Sequence, residues 1–272
     1  MQFVDKTFAR RLESCEELPQ VEYARVFQKT RPEIGAAKEA ICGGHMSFCG
    51  LGSPVGRAVA LGLDRPFTEA DLDQVEAFYQ AHHAPAQVDL CPLHGPEVFE
   101  MFKQRGYAIA ELNNVLFRKL DANETFPPPT AECEIRRSPP EEAGLAGSIV
   151  ESAFFPDGAP EPFRGLIEPL YQMEGSVAFV AEVEGNPVAC GTGLIIPDHK
   201  VFALCGAGTL SSYRGRGLQT ALLRARMAAA AQAGSEFAVV VTQGGTTSQR
   251  NAERLGFRVA YSKVTVIKQL SS

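Results

Sequence analysis

The sequence predicts an α/β (α+β) protein of two domains, and three observations support that class. Its 272 residues are nearly twice the length of about 150 residues that is usual for one domain. Segments with the two-residue period of strands alternate with segments that have the period of amphipathic helices. Three consecutive prolines within Asp121–Glu132 favour an extended spacer. We therefore expect domains over 1–120 and 133–272, joined by a linker over 121–132.

A repeated pattern ends both predicted domains. Gly106-Tyr107 precedes a strand-like run to residue 120, and Gly256-Phe257 precedes a similar run to residue 270. In each copy a helical pattern ends at the glycine, which tolerates the positive φ of a helix C-terminus. The shared order of helix, glycine, aromatic residue and strand predicts that the second half is a duplication of the first.

In the first half, the patterns predict a helix, a short strand and a second helix. Thr68 is a good N-cap residue in front of a helical pattern, so the first helix is expected to run from there to about His82. Gln87–Leu90 has the pattern of a short strand, and Glu97–Arg105 has the pattern of the second helix.

The second half contains a predicted helix, a strand hairpin, a further strand, a long helix and a last strand. Glu184-Gly185-Asn186 is a good turn sequence between the hairpin strands, and Gly234 closes the long helix. The expected ranges, in the same order, are 141–153, 177–184 with 187–196, 200–210, 218–233 and 237–242.

The composition disfavours several classes of protein. With a net charge of −6 and no dense cluster of Lys and Arg, the chain lacks the basic face of a nucleic-acid binder. No segment approaches the roughly 18 apolar residues of a membrane span, and the N-terminus lacks the apolar segment of a secretory signal. The cysteine count of 7, at irregular spacings, argues against a disulfide framework. We expect a cytoplasmic protein with no nucleic-acid or membrane partner.

The most informative segment joins the predicted strand 200–210 to the predicted helix 218–233. Its loop, Arg214-Gly215-Arg216-Gly217, lies at the positive end of the helix dipole, where backbone N–H groups have no partner within the helix. Glycines let the backbone come close to an anion, and arginines add positive charge. The loop is therefore suited to a pyrophosphate, although a plain glycine turn with two solvated arginines has the same pattern.

Here the sequence resembles the GCN5-related N-acetyltransferase (GNAT) family. The family signature, Gln/Arg-x-x-Gly-x-Gly/Ala in a strand-to-helix loop, is represented by Arg214 to Gln219, and the surrounding elements follow the family's order over about Cys133–Leu270. The resemblance implies two GNAT-like domains, each a mixed, mostly antiparallel sheet flanked by helices, with splayed central strands in the C-terminal copy. The first copy is expected to be degenerate, because its glycine-rich segment Gly50–Arg57 is not followed directly by a helix and is interpreted as a turn.

The resemblance also implies acetyl-CoA as co-substrate, held between the splayed strands with its pyrophosphate on the loop. Backbone groups near the end of the first strand would polarise the thioester carbonyl. Gln219 departs from the signature, so its side chain must point away from the pyrophosphate or bond to the co-substrate. The residues expected to bind acetyl-CoA are Ala207, Gly208, Thr209, Leu210, Arg214, Gly215, Arg216, Gly217, Leu218, Gln219 and Thr220.

A second departure concerns the acid that protonates the leaving thiolate. The family commonly has a tyrosine five residues before the Phe of its Gly-Phe pair, and this chain has Ala252 there. The resemblance makes Ser248, Asn251 and Tyr261 the candidates for a catalytic role. Each has a structural alternative: a helix cap for Ser248, an amide that ties helix to strand for Asn251, and core packing for Tyr261. A side-chain acid is also dispensable if solvent or the amine's own proton serves the thiolate.

The resemblance thus implies an N-acetyltransferase that transfers acetyl directly to a primary amine of a small molecule or peptide, as a monomer or a homodimer. Two other functions stay open: an acyl-CoA sensor or interaction protein that has lost turnover, and a transferase of another acyl group. No metal is expected, because Cys42, His45 and Cys49 lack a fourth zinc ligand at a convincing spacing. Cys205 is expected to be a small packed side chain, because the sequence shows no base that would activate it.

Overall fold

The computed structural model describes residues 2–126 and 133–270. Of the predicted linker Asp121–Glu132, residues 127–132 lie outside the described part, and residues 121–126 form neither helix nor strand. Within the described residues the chain forms seven α-helices and ten β-strands. The helices are α1 Lys6–Thr30, α2 Glu69–Ala81, α3 Pro96–Gln104, α4 Ala143–Phe154, α5 Glu168–Gln172, α6 Leu218–Gln232 and α7 Thr247–Arg254. The strands are β1 Ala37–Ile41, β2 Gly44–Phe48, β3 Ala86–Leu90, β4 Ala108–Lys119, β5 Glu134–Arg137, β6 Ser176–Val183, β7 Asn186–Ile196, β8 Val201–Thr209, β9 Phe237–Gln243 and β10 Arg258–Lys268.

These strands form two sheets. β1 and β2 make an antiparallel pair, and the remaining strands form one mixed sheet in the order β3-β10-β4-β9-β8-β7-β6-β5. The pairs β5–β6, β6–β7 and β7–β8 are antiparallel, whereas β8 and β9 are parallel. The predicted α+β class, with a mixed sheet flanked by helices, is confirmed.

Local sequence signals explain why the predicted elements form. Each predicted helix and strand is present, and its ends lie within two residues of the predicted ends. Thr68 and Asp71 make a capping box at the start of α2, where each side chain accepts from the other's backbone N–H, at 3.3 and 2.9 Å. Glu184 and Gly185 both have positive φ, +53° and +77°, as a tight turn between β6 and β7 requires.

The long helix α1 is not evident from the sequence pattern. It has 25 residues and begins after Asp5, whose side chain caps it. Pro19 lies inside it, and its buried face carries the polar residues Glu13, Glu17 and Gln20. A proline and a polar buried stripe are the two features that conceal an amphipathic helix from a search for apolar periodicity.

The described chain divides into two compact units that do not follow the chain order. The first unit contains the described residues up to Leu116, together with Val241–Gln249 and those from Arg258 onward, and the second contains the described residues of Phe117–Val240 and Arg250–Phe257. The last strand, β10, pairs antiparallel with β3 inside the first unit. Conversely, the end of β4 belongs to the second unit, where Phe117 packs against Phe237 with ring centroids 6.0 Å apart.

The two copies of the sequence repeat end their helices with the same geometry. Gly106 and Gly256 have φ values of +80° and +82°. The next residue in each copy, Tyr107 or Phe257, donates its N–H to the carbonyl five residues earlier, at 3.1 or 3.2 Å. This is the hydrogen-bond pattern by which a left-handed glycine closes a helix. The two copies of the sequence pattern therefore share their helix C-terminal geometry, while the duplication of a whole domain stays a prediction.

Candidate cofactor and active site

Strand β8 loses one of its two neighbours part-way along its length. It pairs with β7 to its end, but its parallel pairing with β9 runs only from Val201–Phe237 to Ala203–Val239. In the described register, the edge of β8 from Leu204 onward is therefore not covered by β9. Uncovered backbone groups at such an edge are available to a ligand.

A bulge bends β8 within this uncovered part. The register with β7 shifts between Cys190 and Thr192, so that Cys190 faces Gly208 while Thr192 faces Cys205. Gly206 has a φ of +52°, the left-handed conformation that marks a bulge with glycine at its first position. Bulges bend a strand and leave backbone groups of the ladder unpaired, and they are common beside active sites.

The loop that follows β8 presents a row of free backbone donors. Leu210, Tyr213 and Arg214 donate their N–H groups to protein carbonyls, and Ala221 donates to the Gly217 carbonyl at 3.1 Å. Within the described part of the chain, the N–H groups of residues 215–220 have no protein acceptor. This row lies at the positive end of the helix α6, which is the geometry that suits an anion.

The two glycines of the loop make this geometry possible. Gly217 is the N-cap of α6, and both Gly215 and Gly217 have a φ of +79°. A Cβ atom on either glycine would meet no heavy atom within 4 Å. The loop is therefore open on that side, and a ligand can approach its backbone closely.

Gln219, the departure from the family signature, points away from the free amides. Its Nε2 donates to the Gly208 carbonyl at 2.9 Å and to Thr209 Oγ1 at 2.8 Å. The longer side chain therefore ties the start of α6 to the end of β8.

The two loop arginines have different environments. Arg214 folds back, with Nε donating to the Thr209 carbonyl at 3.3 Å and Nη2 donating to the carbonyl of Ala153 near the end of α4. Arg216 lies over the Tyr213 ring, 5.1 Å from its centroid, and is exposed. Arg214 thus braces the loop, while Arg216 is the arginine that can reach a bound anion.

The remaining residues predicted to bind the co-substrate line the end of β8 and the start of α6. Ala207 lies in the bulge. The Leu210 N–H donates to the Val188 carbonyl at 3.0 Å. Leu218 is buried, so it contributes only its backbone N–H. Thr220, in the first turn of α6, also contributes a free N–H.

Ser248 and Asn251 lie on α7. Ser248 is not the helix cap, and the Asn251 amide does not tie the helix to a strand of the described part. The helix is capped by Thr246, whose Oγ1 accepts from the Gln249 N–H at 3.3 Å. Ser248 is exposed and Asn251 is half-buried. Within the described residues, neither side chain makes a hydrogen bond to the protein, and both are therefore available to a ligand.

Tyr261 is placed differently, in the first unit. It is buried, and its hydroxyl donates to Glu13 Oε1 at 2.7 Å. Burial and the neighbouring carboxylate of Glu13 raise the pKa of Tyr261 well above its usual value. Ala252 is also buried. Tyr261 is thus engaged within the first unit, whereas Asn251 belongs to the second.

Three residues that support β8 escape sequence analysis: Thr192, Gly206 and Arg226. Arg226 is 2% exposed and lies on the buried face of α6, from which its side chain reaches the bulge. A glycine inside a strand pattern is a known signal of a bulge, so Gly206 could have been found. An arginine in an apolar helix stripe gives no such signal.

Two of the three candidate zinc ligands of the first half, Cys42 and His45, contact other groups in the structure. His45 Nδ1 lies 2.6 Å from Glu17 Oε1, and the Cys42 thiol donates to the carbonyl of Pro66 at 3.7 Å. Burial raises the pKa of the Cys49 thiol to about 12. Among the described residues, no group of three His, Cys, Asp or Glu side chains is arranged to hold a metal ion, and no helix is both long and apolar enough to span a membrane.

The glycine-rich segment Gly50–Arg57 is a turn whose amides are used. Gln20 Oε1, on α1, accepts from the N–H groups of Gly56 and Arg57 at 3.2 and 2.8 Å. The N–H groups of Ser53 and Val55 also have acceptors within the segment, so four of its donors are met by the protein, in contrast to those of residues 215–220.

Solved structures with a similar fold include several acetyltransferases. A GCN5-related N-acetyltransferase from Kribbella flavida superposes with a TM-score of 0.63 at 20% identity, over 91% of this chain and 96% of that one. A tandem GNAT protein from the clavulanic acid biosynthesis pathway gives a TM-score of 0.63 at 11% identity, over 84% and 78%. A GCN5-related N-acetyltransferase from Sphaerobacter thermophilus gives 0.55 at 18% identity, over 74% and 67%. At these identities the likeness shows the fold, and no curated protein matches the chain.

The family itself is indicated by the sequence of the second half. Residues 148–257 match the model of the Acetyltransferase (GNAT) family. The matched segment contains the hairpin β6–β7, the bulged strand β8, the loop with the free amides, and α6. The C-terminal half of this chain therefore carries an acetyltransferase domain of the GNAT family.

Proposed function

We propose that this chain is an N-acetyltransferase that transfers the acetyl group of acetyl-CoA directly to a primary amine of a small molecule or peptide. The observation that carries the proposal is the row of free N–H groups at residues 215–220, which lies inside the segment matched to the GNAT family. These donors suit the pyrophosphate of the co-substrate. The uncovered edge of β8 beyond Ala203 suits its pantetheine arm.

The reaction is a displacement at the thioester carbonyl. The amine lone pair attacks the carbonyl carbon, a C–N bond forms, the C–S bond breaks, and the proton lost from nitrogen neutralises the CoA thiolate. Backbone donors fixed at the edge of β8 would stabilise the negative charge that develops on the carbonyl oxygen. Gly206 and Ala207 lie at the bulge on that edge.

Two side chains are candidates for the proton transfer. Ser248 and Asn251 have polar side chains on α7 that make no hydrogen bond to the described part of the protein, so both stay our proposed catalytic residues. Tyr261 is the weaker of the three predicted candidates, because its hydroxyl is bonded to Glu13 and buried. With Ala252 at the family's tyrosine position, solvent or the amine itself would complete the transfer.

The first half would be a degenerate copy that binds no CoA. At the start of α2, the Thr68–Asp71 capping box accepts from the N–H groups of Thr68 and Asp71. The Arg65 guanidinium beside Asp71 holds the pKa of that carboxyl well below its usual range. A carboxylate thus occupies the helix N-terminus where a phosphate would bind. The matching helix ends at Gly106 and Gly256 support a tandem origin, with domains near 1–120 and 133–272.

The acceptor would bind on the second unit beside α4 and α5. Phe154 is 65% exposed there, and Phe163 packs against Phe155 with centroids 5.1 Å apart. Exposed aromatic side chains suit an organic amine. We also propose a cytoplasmic protein, because 7 cysteines at irregular spacings do not suit a disulfide framework.

The competing function is an acyl-CoA sensor without turnover. The buried Ala252, in place of a tyrosine, favours it. Steady-state release of CoA thiol across a panel of amines separates the two functions: turnover on any amine supports the transferase, and tight binding with no turnover on any amine supports the sensor.

The substitution Gly217→Glu tests the anion site directly. It places a carboxylate against the free amides, and we expect acetyl-CoA binding, measured by calorimetry, to be abolished. Gly185→Glu is the matched control, because Gly185 has a φ of +77° and equally open surroundings in the β6–β7 turn. Unchanged affinity in Gly217→Glu, or an equal loss in both variants, would refute the assignment of the loop.

A further inference from the structure

The bulge of β8 interrupts the regular ladder beside the buried strand β7. Two residues of β8 stand opposite Gly191 of β7, because Cys190 faces Gly208 and Thr192 faces Cys205. Thr192 is fully buried. Its carbonyl and that of its partner Cys205 lie where the ladder is irregular, and a buried carbonyl left without donors is costly.

Arg226 of α6 supplies those donors. Its Nη1 donates to the Thr192 carbonyl at 2.7 Å and to the Cys205 carbonyl at 3.4 Å, while Nε donates to the Leu222 carbonyl at 3.2 Å. The Thr192 hydroxyl adds a second donor to the Cys205 carbonyl, at 3.1 Å. Both strands at the bulge are thus held by one guanidinium and one hydroxyl.

The sheet provides a space shaped for that guanidinium. A Cβ atom on Gly191 would lie 2.6 Å from Cζ of Arg226, so only glycine leaves room for it. Leu222 and Ala230, one turn before and after Arg226, are both buried. An apolar side chain would be the ordinary occupant of this position in the stripe.

The electrostatics show that Arg226 is not placed there for an ion pair. Among the described residues it has no carboxylate partner, and the titratable groups that act on it are the thiols of Cys205 and Cys190. Burial lowers the pKa of Arg226 to about 10. A buried cation without a counter-charge is unfavourable. The contribution of Arg226 at this position is therefore its set of hydrogen bonds to the bulge.

We propose that Arg226 is a positioning residue for acetyl transfer: with Thr192, it fixes the bulge that turns the free edge of β8 toward the thioester carbonyl. This inference rests on the proposed acetyltransferase function. Arg226 itself touches neither acetyl-CoA nor the amine. It acts through the backbone of residues 205–207, so its loss displaces the groups that stabilise the developing oxyanion and leaves the pyrophosphate loop in place.

The test compares Arg226→Met with the control Arg224→Met in the full-length protein. Arg224 lies on the same helix, and its side chain makes no hydrogen bond to the described part of the protein. We expect Arg226→Met to lower kcat about 10- to 100-fold with the dissociation constant of acetyl-CoA within about threefold of wild type, corresponding to less than 1 kcal/mol. Arg226→Lys, which keeps the charge but not the forked donors, should recover part of kcat. Arg224→Met should match wild type.

Amide hydrogen exchange supplies a readout that does not depend on turnover. Without co-substrate, Arg226→Met should exchange faster than wild type at residues 205–209 and at the same rate in α4. If Arg226→Met does not fold, Gly191→Ala is the second test of the positioning role. The new Cβ displaces the guanidinium while Arg226 remains present, so a lowered kcat in Gly191→Ala supports the proposal.

The inference and the proposed function fail in different ways. An active wild type with unchanged kcat in folded Arg226→Met, or in Gly191→Ala, overturns the inference alone, as does unchanged exchange at residues 205–209. An equal loss of kcat and acetyl-CoA affinity would place Arg226 in co-substrate binding and overturn it too. A wild type that neither binds nor turns over acetyl-CoA overturns the proposed function.

Discussion

The conformation of Gly206 makes a quantitative prediction about stability. In Gly206→Ala, the new Cβ would overlap Thr192 Oγ1 and lie 2.5 Å from Leu170 Cδ1, and the residue would keep a φ of +52°. Leu170 and Thr192 are both buried, so neither can move freely. Left-handed strain in a non-glycine residue costs about 1–2 kcal/mol, and overpacking a core adds about 1–3 kcal/mol. We therefore expect a loss of about 2–5 kcal/mol in the free energy of unfolding.

The control for this prediction is Gly215→Ala, which shares the strain but not the overlap. Gly215 has a φ of +79°, and a Cβ atom added there would have no heavy atom within 4 Å. It should lose only about 1–2 kcal/mol. Urea unfolding followed by circular dichroism measures both variants, with the slope m checked for constancy. If Gly206→Ala loses no more than Gly215→Ala, the packing of the bulge against Leu170 and Thr192 is wrong.

Two further predictions concern the buried charges of the first unit. Burial raises the pKa of Glu13 above its ordinary value of 4.5. Its contribution to stability is therefore present below pH 4.5 and is lost as pH rises through the folded-state pKa. Glu13→Gln should remove this loss, so equal pH dependence of the free energy of unfolding in variant and wild type, measured in urea, would contradict the prediction. Lys263 lies 2.9 Å from Asp89 and 3.5 Å from Glu13, so Lys263→Met should cost about 3 kcal/mol by stranding buried carboxylates. A Lys263→Met protein as stable as wild type in urea would show that the ion pairs of Lys263 do not stabilise the fold.

The elements around the loop were predictable because short-range signals specify them. Glycines with positive φ, a capping threonine and an apolar helix stripe each act within a few residues of sequence, and the structure has the corresponding elements within two residues of the predicted ends. The free amides at 215–220 follow from the same local chemistry, since the first turn of any helix leaves its donors unpaired.

The division of the chain was not predictable in the same way. The domains expected over 1–120 and 133–272 stay a prediction. The compact units have other bounds, because β10 pairs with β3 in the first unit and the end of β4 lies in the second. Local sequence does not specify these pairings, because strand pairing depends on contacts between residues far apart in the chain.

The supports of the bulge were missed for a related reason. Arg226 interrupts an apolar stripe, and a surface position is the ordinary expectation for an arginine. Its hydrogen bonds to Thr192 and Cys205 join residues 34 and 21 positions away. The role of Gln219 was also missed, because its hydrogen bonds to Gly208 and Thr209 join α6 to the end of β8, 11 and 10 residues earlier in the chain.

The central claim is that the free amides of residues 215–220 hold the pyrophosphate of acetyl-CoA. Residue-resolved amide hydrogen exchange, with and without saturating acetyl-CoA, measures this directly. We predict slowed exchange at residues 215–220 and unchanged exchange in the turn at residues 184–186. Unchanged exchange at residues 215–220 in the saturated protein, or no binding of acetyl-CoA at all, would contradict the claim.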